Sequence, residues 1–368
     1  MKYHLVAGEA SGDIHGSKLI EALKAADSKA EFRCWGGDAM AKASGNLVSH
    51  YKDRAYMGLW EVLTHLRKIS AYLKQAQEDI LSHRPDVLIL IDNPGFNLRL
   101  AAFAKKHGIP VHYYIAPKVW AWNESRVKQI KKNVDRLYCI LPFEEAYFAK
   151  HGIEAVYVGN PSKEQVDQYH SSATWAAELG ITKPIIAVLP GSRISEIQRI
   201  LPTFLEIPKQ FPDYEFVVAA APDFDVAWYQ QFDGIGAVKI VKGQTHEVLS
   251  HAQAALVASG TATLETALFG VPQVVCYRVA GLTYRIGKLV VKLRWFGLVN
   301  LILNRGLLTE LLQSEFTEER TRWELESVLA GPQRDMILNG YVELREMLGT
   351  TSASEEVAQR IYSALRGV

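Results

Sequence analysis

An aspartate at the end of a continuous apolar run is the first residue here that could do acid-base chemistry. Val87 to Ile91 is apolar at every position, which is typical of a parallel strand covered on both faces. Asp92 follows directly, where apolar walls raise the pKa of a carboxyl group and suit it to act as a general base. Helix capping is the alternative, but Asn97, just before Leu98, is the better-placed cap. We therefore predict catalysis by Asp92.

A glycine-rich loop near the N-terminus, Gly8 to Asp13, also follows a predicted strand. Its glycines allow a ligand to approach the backbone closely. The loop matches neither GxGxxG nor GxxxxGK[ST], so dinucleotide or ATP binding has little support. An ordinary strand-to-helix turn, capped by Ser11 or Asp13, is the alternative. Its place at the carboxyl end of a strand favours a substrate loop.

Two loops in the second half of the chain carry groups suited to a nucleoside diphosphate. Gly191, Ser192 and Arg193 follow a predicted strand, where backbone amides and a guanidinium group attract phosphate. The other loop is small and hydroxyl-rich, and it comprises Ser259, Gly260 and Thr261. Glu265 lies four residues after Thr261, which is one too many for a capping box, and it could accept hydrogen bonds from a ribose. Each loop alone could be ordinary turn chemistry; together they predict a nucleotide site.

Two tryptophans, Trp120 and Trp122, lie near Lys118 and Arg126 after another predicted strand. Aromatic faces stack on sugars or acyl chains, although packing in a core is an equally good interpretation.

Three motifs point to a metal or a nucleophile only superficially. His246 and His251 are five residues apart, whereas the helical zinc motif needs four. Asp223 and Asp225 form a DxD after Pro222, where capping of a helix suffices to explain them. No GxSxG elbow presents a serine. We predict no metal site and no cofactor.

Two segments could contact lipid. Met57 to Leu73 is unusually rich in apolar residues, and the stretch 266–309 has six Lys and Arg residues without Asp or Glu. Basic charge beside aromatic and aliphatic residues, as in Arg285 to Arg294, suits an anionic membrane surface. A core helix or a dimer-interface helix is the alternative for both segments.

The elements that position these residues alternate as strand and helix. With 368 residues and 48% hydrophobic composition, the chain has the length of about two domains. We predict an α/β fold of two doubly wound, Rossmann-like domains facing a cleft, with successive C-terminal helices after Thr317. The predicted domains are 1–165, which binds the acceptor, and 166–345, which binds the nucleotide. A last helix in 346–368 is expected to pack on the first domain or on a partner chain.

Charge, cysteines and the N-terminus limit the remaining classes. A net charge of +1 argues against a protein whose whole surface binds nucleic acid. The three cysteines form no CxxC pair, so a reducing cytoplasm fits best. The first residues are too polar for a secretory signal, and no membrane-spanning helix is expected.

Several motifs together resemble the lipid-A-disaccharide synthase family of glycosyltransferases. They extend over nearly the whole chain and comprise Leu5-Val-Ala-Gly-Glu-Ala-Ser-Gly-Asp13, Met57-Gly58, Glu61-Val-Leu63, Ile91-Asp92, Pro94, Phe96-Asn97, Pro117, Val119-Trp-Ala-Trp122, Leu141-Pro-Phe-Glu144, Leu189-Pro-Gly-Ser-Arg193, Ser259-Gly-Thr-Ala262, Leu264-Glu265, Asn300-Leu301 and Glu310-Leu-Leu-Gln313. The resemblance implies a two-domain GT-B fold, transfer from UDP-2,3-diacylglucosamine to 2,3-diacylglucosamine 1-phosphate, inversion, and release of UDP and a β(1→6) disaccharide. It also implies peripheral association with the inner membrane.

The resemblance carries over to residues. It implies that Asp92 is essential and that the loops of Arg193 and Glu265 face the nucleotide. The residues expected to contact substrate on the matching motifs are Glu9, Ser11, Asn97, Trp120, Asn300, Glu310 and Gln313.

The chain departs from the family pattern at three places. Gly95 replaces the second acid of PDFN, Asn160 replaces the histidine of GHP, and Val299 replaces a frequent proline. None of these removes a residue on which the predicted mechanism depends.

Two other functions stay open from the residues. A UDP-sugar epimerase would share the architecture and would act on UDP-N-acetylglucosamine without lipid. A non-catalytic nucleotide- or lipid-binding protein would release no UDP. The sequence also leaves open whether the chain is a monomer or a homodimer.

Overall fold

The computed structural model describes residues 1–54, 66–122, 124–281, 284 and 293–367. The chain divides into two compact units, each with its own sheet. Unit 1 comprises 1–161 together with 350–368, and unit 2 comprises 162–349. The divisions thus fall a few residues from the predicted positions 165 and 345.

Unit 1 contains a fully parallel seven-stranded sheet. Its strands are β1 (Lys2–Ala7), β2 (Glu31–Gly36), β3 (Leu47–His50), β4 (Val87–Ile91), β5 (Val111–Tyr114), β6 (Arg136–Cys139) and β7 (Ala155–Tyr157). They lie in the order β3-β2-β1-β4-β5-β6-β7. Its described helices up to residue 160 are α1 (Ala10–Ala26), α2 (Asp38–Ser44), α3 (Leu66–His83), α4 (Pro94–Lys106), α5 (Val119–Trp122), α6 (Ser125–Asn133) and α7 (Glu144–Lys150), with a 3-10 helix at Tyr51–Arg54.

Strand β4 shows why the apolar run forms a central strand. All five of its side chains are fully buried. Val87, Ile89 and Ile91 belong to the apolar cluster on one face of the sheet, and Leu88 and Leu90 belong to the cluster on the other. Helices cover both faces of this sheet, so side chains on both sides of β4 are buried, and every residue of the strand is apolar.

Unit 2 contains a parallel six-stranded sheet. Its strands are β8 (Ile185–Leu189), β9 (Glu215–Ala220), β10 (Lys239–Lys242), β11 (Ala252–Ala258), β12 (Gln273–Tyr277) and β13 (Glu310–Leu312), in the order β10-β9-β8-β11-β12-β13. Its described helices are α8 (Pro161–Asp167, which begins at the division), α9 (Trp175–Glu178), α10 (Ile194–Leu205), α11 (Val226–Tyr229), α12 (Thr245–His251), α13 (Thr261–Leu268), α14 (Leu298–Leu303), α15 (Glu318–Leu329) and α16 (Pro332–Leu348), with 3-10 helices at Pro208–Gln210, Ile235–Ala237 and Gln313–Glu315.

The chain ends in a helix that returns to unit 1. This helix, α17 (Ala353–Arg366), packs along α1. Val357, Ala358 and Ile361 are buried in the same cluster as Leu19 and Leu23 of α1. The predicted successive helices after Thr317 are therefore present as α15, α16 and α17.

Both sheets reverse their strand order once. The reversal lies between β1 and β4 in unit 1 and between β8 and β11 in unit 2. Open parallel sheets bind ligands beyond the carboxyl ends of their strands at such a switch point. The predicted α/β class with two doubly wound sheets is thus confirmed, and each sheet has one preferred edge for a ligand.

Candidate functional site

The turn after β4 holds Asp92 in an unusual backbone conformation. Asp92 and Asn93 both lie in the left-handed region, with φ of 44° and 45°. Two consecutive non-glycine residues there are uncommon, and such strain concentrates at functional sites. The Asp92 carbonyl oxygen accepts from the Tyr113 hydroxyl and from Asn97 Nδ2, the latter at 2.8 Å. These bonds hold the turn in place.

Asn97 has a different place from the one predicted. Helix α4 already begins at Pro94, with Asn93 as its N-cap, because proline at the first position has the required φ. Asn97 therefore lies inside the helix, fully buried, and its amide also donates to the Ile91 carbonyl at 3.1 Å. The prediction of a cap is wrong. The side chain lies beneath the turn of Asp92, where it supports the backbone, and not on the surface where a substrate contact is expected.

The Asp92 carboxyl group has the electrostatic environment of a base. Burial raises its pKa above the ordinary value, and the nearby Glu9 carboxylate raises it further. The Lys118 ammonium and the backbone N–H of Asn93 act in the opposite direction. A carboxyl group with a raised pKa holds a proton more strongly, so it can take one from a hydroxyl group.

The loop after β1 meets this turn at the switch point of unit 1. A Cβ on Gly8 would lie 1.9 Å from Asn93 Nδ2, so a larger residue here would displace the Asn93 side chain from this close approach. Glu9 is the N-cap residue of α1, and Ser11 is exposed in the first turn. Asp13 instead accepts from three backbone N–H groups at the start of α2. Neither Ser11 nor Asp13 caps α1, which leaves Ser11 available to a ligand.

The half-buried Trp120 is tied to a buried acid. Its indole N–H donates to Glu144 Oε1 at 3.0 Å, and its ring meets Phe143 edge to face. Glu144 is part of a family motif, but the sequence does not predict it as a site residue. It contacts Trp120 only because the fold brings the start of α7 against α5. Trp122 belongs to the same short helix, α5, and Asn123 after it lies outside the described residues.

The phosphate loop predicted after β8 holds a carboxylate of its own chain. Gly191 has a φ of 111°, and a Cβ there would lie 2.8 Å from Glu196 Oε2. The same oxygen accepts from Ser192 N at 3.3 Å. Arg193, more than half exposed, lies with Nη1 3.8 Å from Glu196 Oε1. The Ser192 amide and the Arg193 guanidinium group therefore already face a negative charge.

The loop after β11 is open. Gly260 and Thr261 are exposed at the start of α13, with no atom near the position of a Cβ on Gly260. Ser259 Oγ donates to the Phe296 carbonyl at 3.2 Å, so it is engaged within the unit. Glu265 Oε2 lies 3.8 Å from His246 Nε2. His246 thus joins the nucleotide candidates, a contact that only the fold reveals.

Three predicted substrate residues hold loops of unit 2 together. Asn300 is buried and bonds to the backbone of Leu307 and Leu308 and to Glu310 Oε1. The Glu310 carboxylate also accepts from the backbone N–H groups of residues 296 and 297. Gln313, oriented by its partners, pairs with the backbone of Val279 at 3.0 and 3.2 Å. Their side chains support the loops beside β12 and β13 in this structure.

The described ranges contain no cluster of three side chains that could hold a metal ion. Asp225 precedes α11 and pairs with Lys242 at 2.6 Å. Among the same residues, no helix is long and apolar enough to cross a bilayer. The segments 57–65 and 285–292, which carry much of the predicted lipid contact, lie outside the described residues.

Solved structures show which fold the chain has. A UDP co-structure of S. aureus MnaA matches with a TM-score of 0.70 at 14% identity, covering 100% of this chain and 97% of that one. The glycotransferase of kitacinnamycin matches with a TM-score of 0.67 at 16% identity, covering 99% of both chains. The fold is thus that of the two-domain glycosyltransferases and UDP-sugar epimerases.

Sequence relatives then identify the family. The model of the lipid-A-disaccharide synthetase family matches residues 3–361. The lipid-A-disaccharide synthase of Myxococcus xanthus is 41% identical over 98% of this chain and 97% of its own length, and that of Syntrophus aciditrophicus is 37% identical over 96% and 95%. The chain belongs to the lipid-A-disaccharide synthetase family. It is therefore a glycosyltransferase of lipid A biosynthesis.

Proposed function

We propose that this enzyme transfers 2,3-diacylglucosamine from its UDP donor to 2,3-diacylglucosamine 1-phosphate, with inversion at the anomeric carbon. The family supports the reaction. The observation that carries the residue-level proposal is the Asp92 turn: a carboxyl group with a raised pKa on a constrained backbone at the switch point of a sheet.

Asp92 acts as the general base. It takes the proton from the 6-hydroxyl of the acceptor as this oxygen forms the new bond to the anomeric carbon of the donor. The bond from that carbon to UDP breaks on the opposite face, and its electron pair leaves with the diphosphate. The acceptor binds over unit 1, beside Glu9, Ser11 and Trp120.

The donor's UDP binds at the switch point of unit 2. Arg193 and the amides of Gly191, Ser192, Gly260 and Thr261 surround the diphosphate, since helix N-termini and guanidinium groups stabilise phosphate. Ser259 supports the second loop through its bond to Phe296. Glu265 accepts from the ribose hydroxyls. The Glu196 carboxylate must leave Ser192 N and Arg193 when the diphosphate binds to this loop.

These cationic and amide groups neutralise the leaving UDP without a metal ion. Activity is therefore expected to persist in EDTA. Activity restored only by Mn²⁺ would contradict this and direct attention to Asp223 and Asp225.

The enzyme works at the surface of the inner membrane, on its cytoplasmic side, because both substrates carry acyl chains. The segments Met57 to Leu73 and Arg285 to Arg294 provide the apolar and basic contact. Flotation with anionic liposomes should carry the protein upward, and flotation no greater than with neutral liposomes would count against this role of the basic segment.

The reaction itself is tested by UDP release. Purified enzyme should release UDP only when both lipid substrates are present. Incubation with UDP-N-acetylglucosamine alone distinguishes an epimerase, since its 2-epimer would then appear without lipid. Absence of UDP release with both lipids would refute the proposed reaction.

A further inference from the structure

The Glu144 carboxyl group is a buried acid, bonded to Trp120 of the proposed acceptor face, that the mechanism does not use. Its side chain is fully buried at the end of the loop after β6. Three N–H groups converge on its two oxygens. Oε1 accepts from Trp120 Nε1 at 3.0 Å, and Oε2 accepts from the backbone of Ile140 and Leu141 at 3.2 and 3.1 Å. One side chain thus joins the loop after β6 to the helix after β5.

The loop that carries Glu144 is fixed from both sides. The carbonyl oxygen of Ile140 accepts from Asn160 Nδ2 at 2.9 Å, while its N–H donates to Glu144. The ring of Phe143 meets the Trp120 indole edge to face, with centroids 5.0 Å apart. The indole is therefore held at its N–H by a carboxylate and on one side by an aromatic ring. Trp120 has little freedom to rotate.

The arrangement is more than a means of satisfying backbone groups. Burial raises the pKa of Glu144 to about 7, against the hydrogen bonds from Trp120 and the two amides and the charge of Lys118. Keeping a carboxylate in such a place is costly unless its partners are well placed. The Lys118 ammonium lowers the pKa of the Asp92 carboxyl group as well as that of Glu144.

We propose that Glu144 is a positioning residue for the glycosyl acceptor: it fixes the plane of the Trp120 indole, whose accessible part packs against the acceptor sugar. This inference rests on the proposed binding of the acceptor over unit 1. Glu144 itself touches no substrate. Substitution of Glu144 should therefore raise the acceptor's KM, and it should do so only through loss of the hydrogen bond from the Trp120 N–H.

Two substitutions remove the bond from opposite ends. Glu144→Gln has one carbonyl oxygen, and two backbone donors compete for it, so its NH₂ group faces the indole N–H. Trp120→Phe keeps an aromatic ring but removes the N–H donor and leaves Glu144 with its two backbone bonds. Glu145→Gln is the matched control, because Glu145 is exposed and accepts only from Tyr157 N among the hydrogen bonds of the described residues.

The experiment is a double-mutant cycle on the acceptor's KM, with kcat and the UDP dissociation constant measured alongside. Glu144→Gln should raise the acceptor's KM by about five- to tenfold, which matches the net contribution of a typical intramolecular hydrogen bond. Trp120→Phe should raise it similarly, and the double variant no further than either single one. UDP affinity should stay unchanged in all three, and Glu145→Gln should leave KM unchanged.

Independent effects that multiply in the double variant would overturn the proposal, as would an unchanged KM in either single variant. If Glu144→Gln does not fold, Trp120→Phe decides by itself. An unchanged KM in that variant overturns the proposal, and a raised KM with intact UDP affinity supports it. Failure of the proposed function is distinguishable, because it would appear as absent UDP release in the unsubstituted enzyme.

Discussion

The two units share a strand order but differ in the turns after their central strands. In unit 1 the turn after β4 places Asp92 and Asn93 in the left-handed region. In unit 2 the two switch-point strands are both followed by glycines: Gly191, with a φ of 111°, comes after β8, and the open Gly260 comes after β11, the counterpart of β4. Glycine adopts a positive φ at no steric cost. Asp92 does so only because neighbouring side chains hold its turn in place. Topology selects the location, and the loop residues decide which chemistry occurs there.

The electrostatics differ in the same way. The turn of unit 1 raises the pKa of an acid, which favours proton transfer. The loop after β8 in unit 2 presents the Ser192 amide and Arg193 to the Glu196 carboxylate, an arrangement that favours binding of an anion. This contrast supports a division of labour, with the base in one unit and the leaving group in the other. Substitutions in each unit test it.

Asp92→Asn should have the largest effect. It keeps the shape of the side chain and tolerates the left-handed backbone, but it cannot accept the acceptor's proton. We expect kcat to fall by about 10²- to 10⁴-fold with no change in UDP affinity, measured by UDP release and calorimetry. Asp86→Asn, at the other end of β4 where Asp86 accepts from Lys2 N, is the control and should retain kcat. Near-normal turnover in Asp92→Asn would remove this residue as the base.

Arg193→Ala should mainly weaken UDP binding. Loss of a charge-assisted bond to the diphosphate corresponds to an increase of about 10- to 100-fold in the dissociation constant. Arg199→Ala is the matched control, since Arg199 lies on α10, the helix for which Arg193 is the N-cap residue, and donates to the carbonyl of Ser195. Equal UDP affinity in calorimetry for the two variants would exclude Arg193 from the phosphate site.

Glu196→Gln should strengthen UDP binding. Its carboxylate now faces Ser192 N and Arg193, so neutralising it removes a competitor for the diphosphate. The pair is partly exposed, and we expect only about threefold tighter binding by calorimetry. Glu206→Gln, at the other end of α10, should not change the affinity. Weaker binding in Glu196→Gln would show that the carboxylate assists the nucleotide.

Lys118→Met should shift the pH dependence slightly. The charge of Lys118 lowers the pKa of Asp92, so its loss raises that pKa. Because the base acts deprotonated, kcat falls as the pH is lowered, and this fall should begin at a higher pH in the variant, by a fraction of a unit. A pH–kcat profile measures it. A shift to lower pH would contradict the assigned electrostatics.

The sequence reveals strands of continuous apolar residues better than strands that polar residues interrupt. The uninterrupted run of β4 identifies it, whereas the pattern does not predict β2, because the polar Glu31 and Arg33 interrupt it. The fold explains Arg33, whose Nε donates to Asp79 Oδ1 at 2.7 Å. The short strands β3, β7 and β13 likewise depend on pairing with their neighbours.

For the site, residue type and position predict more than orientation. Asp92 and Arg193 lie at switch points as strand-end residues should. The side chains that surround Asp92 and Arg193 are known only from the fold. The sequence predicts that Asn97 and Asn300 contact substrate, but both side chains are buried and hydrogen-bonded within their own units. Nothing in their spacing shows which carbonyl or amide groups they meet, because those partners come from tertiary packing.

The most direct test is a crystal structure of the enzyme soaked with UDP. We expect the diphosphate within hydrogen-bonding distance of the amides at 191–193 and 260–261, with the Glu196 side chain moved off the first loop. Density for UDP against the Asp92 turn, or Glu196 still bonded to Ser192 beside a nucleotide bound elsewhere, would contradict the proposed division between the two units.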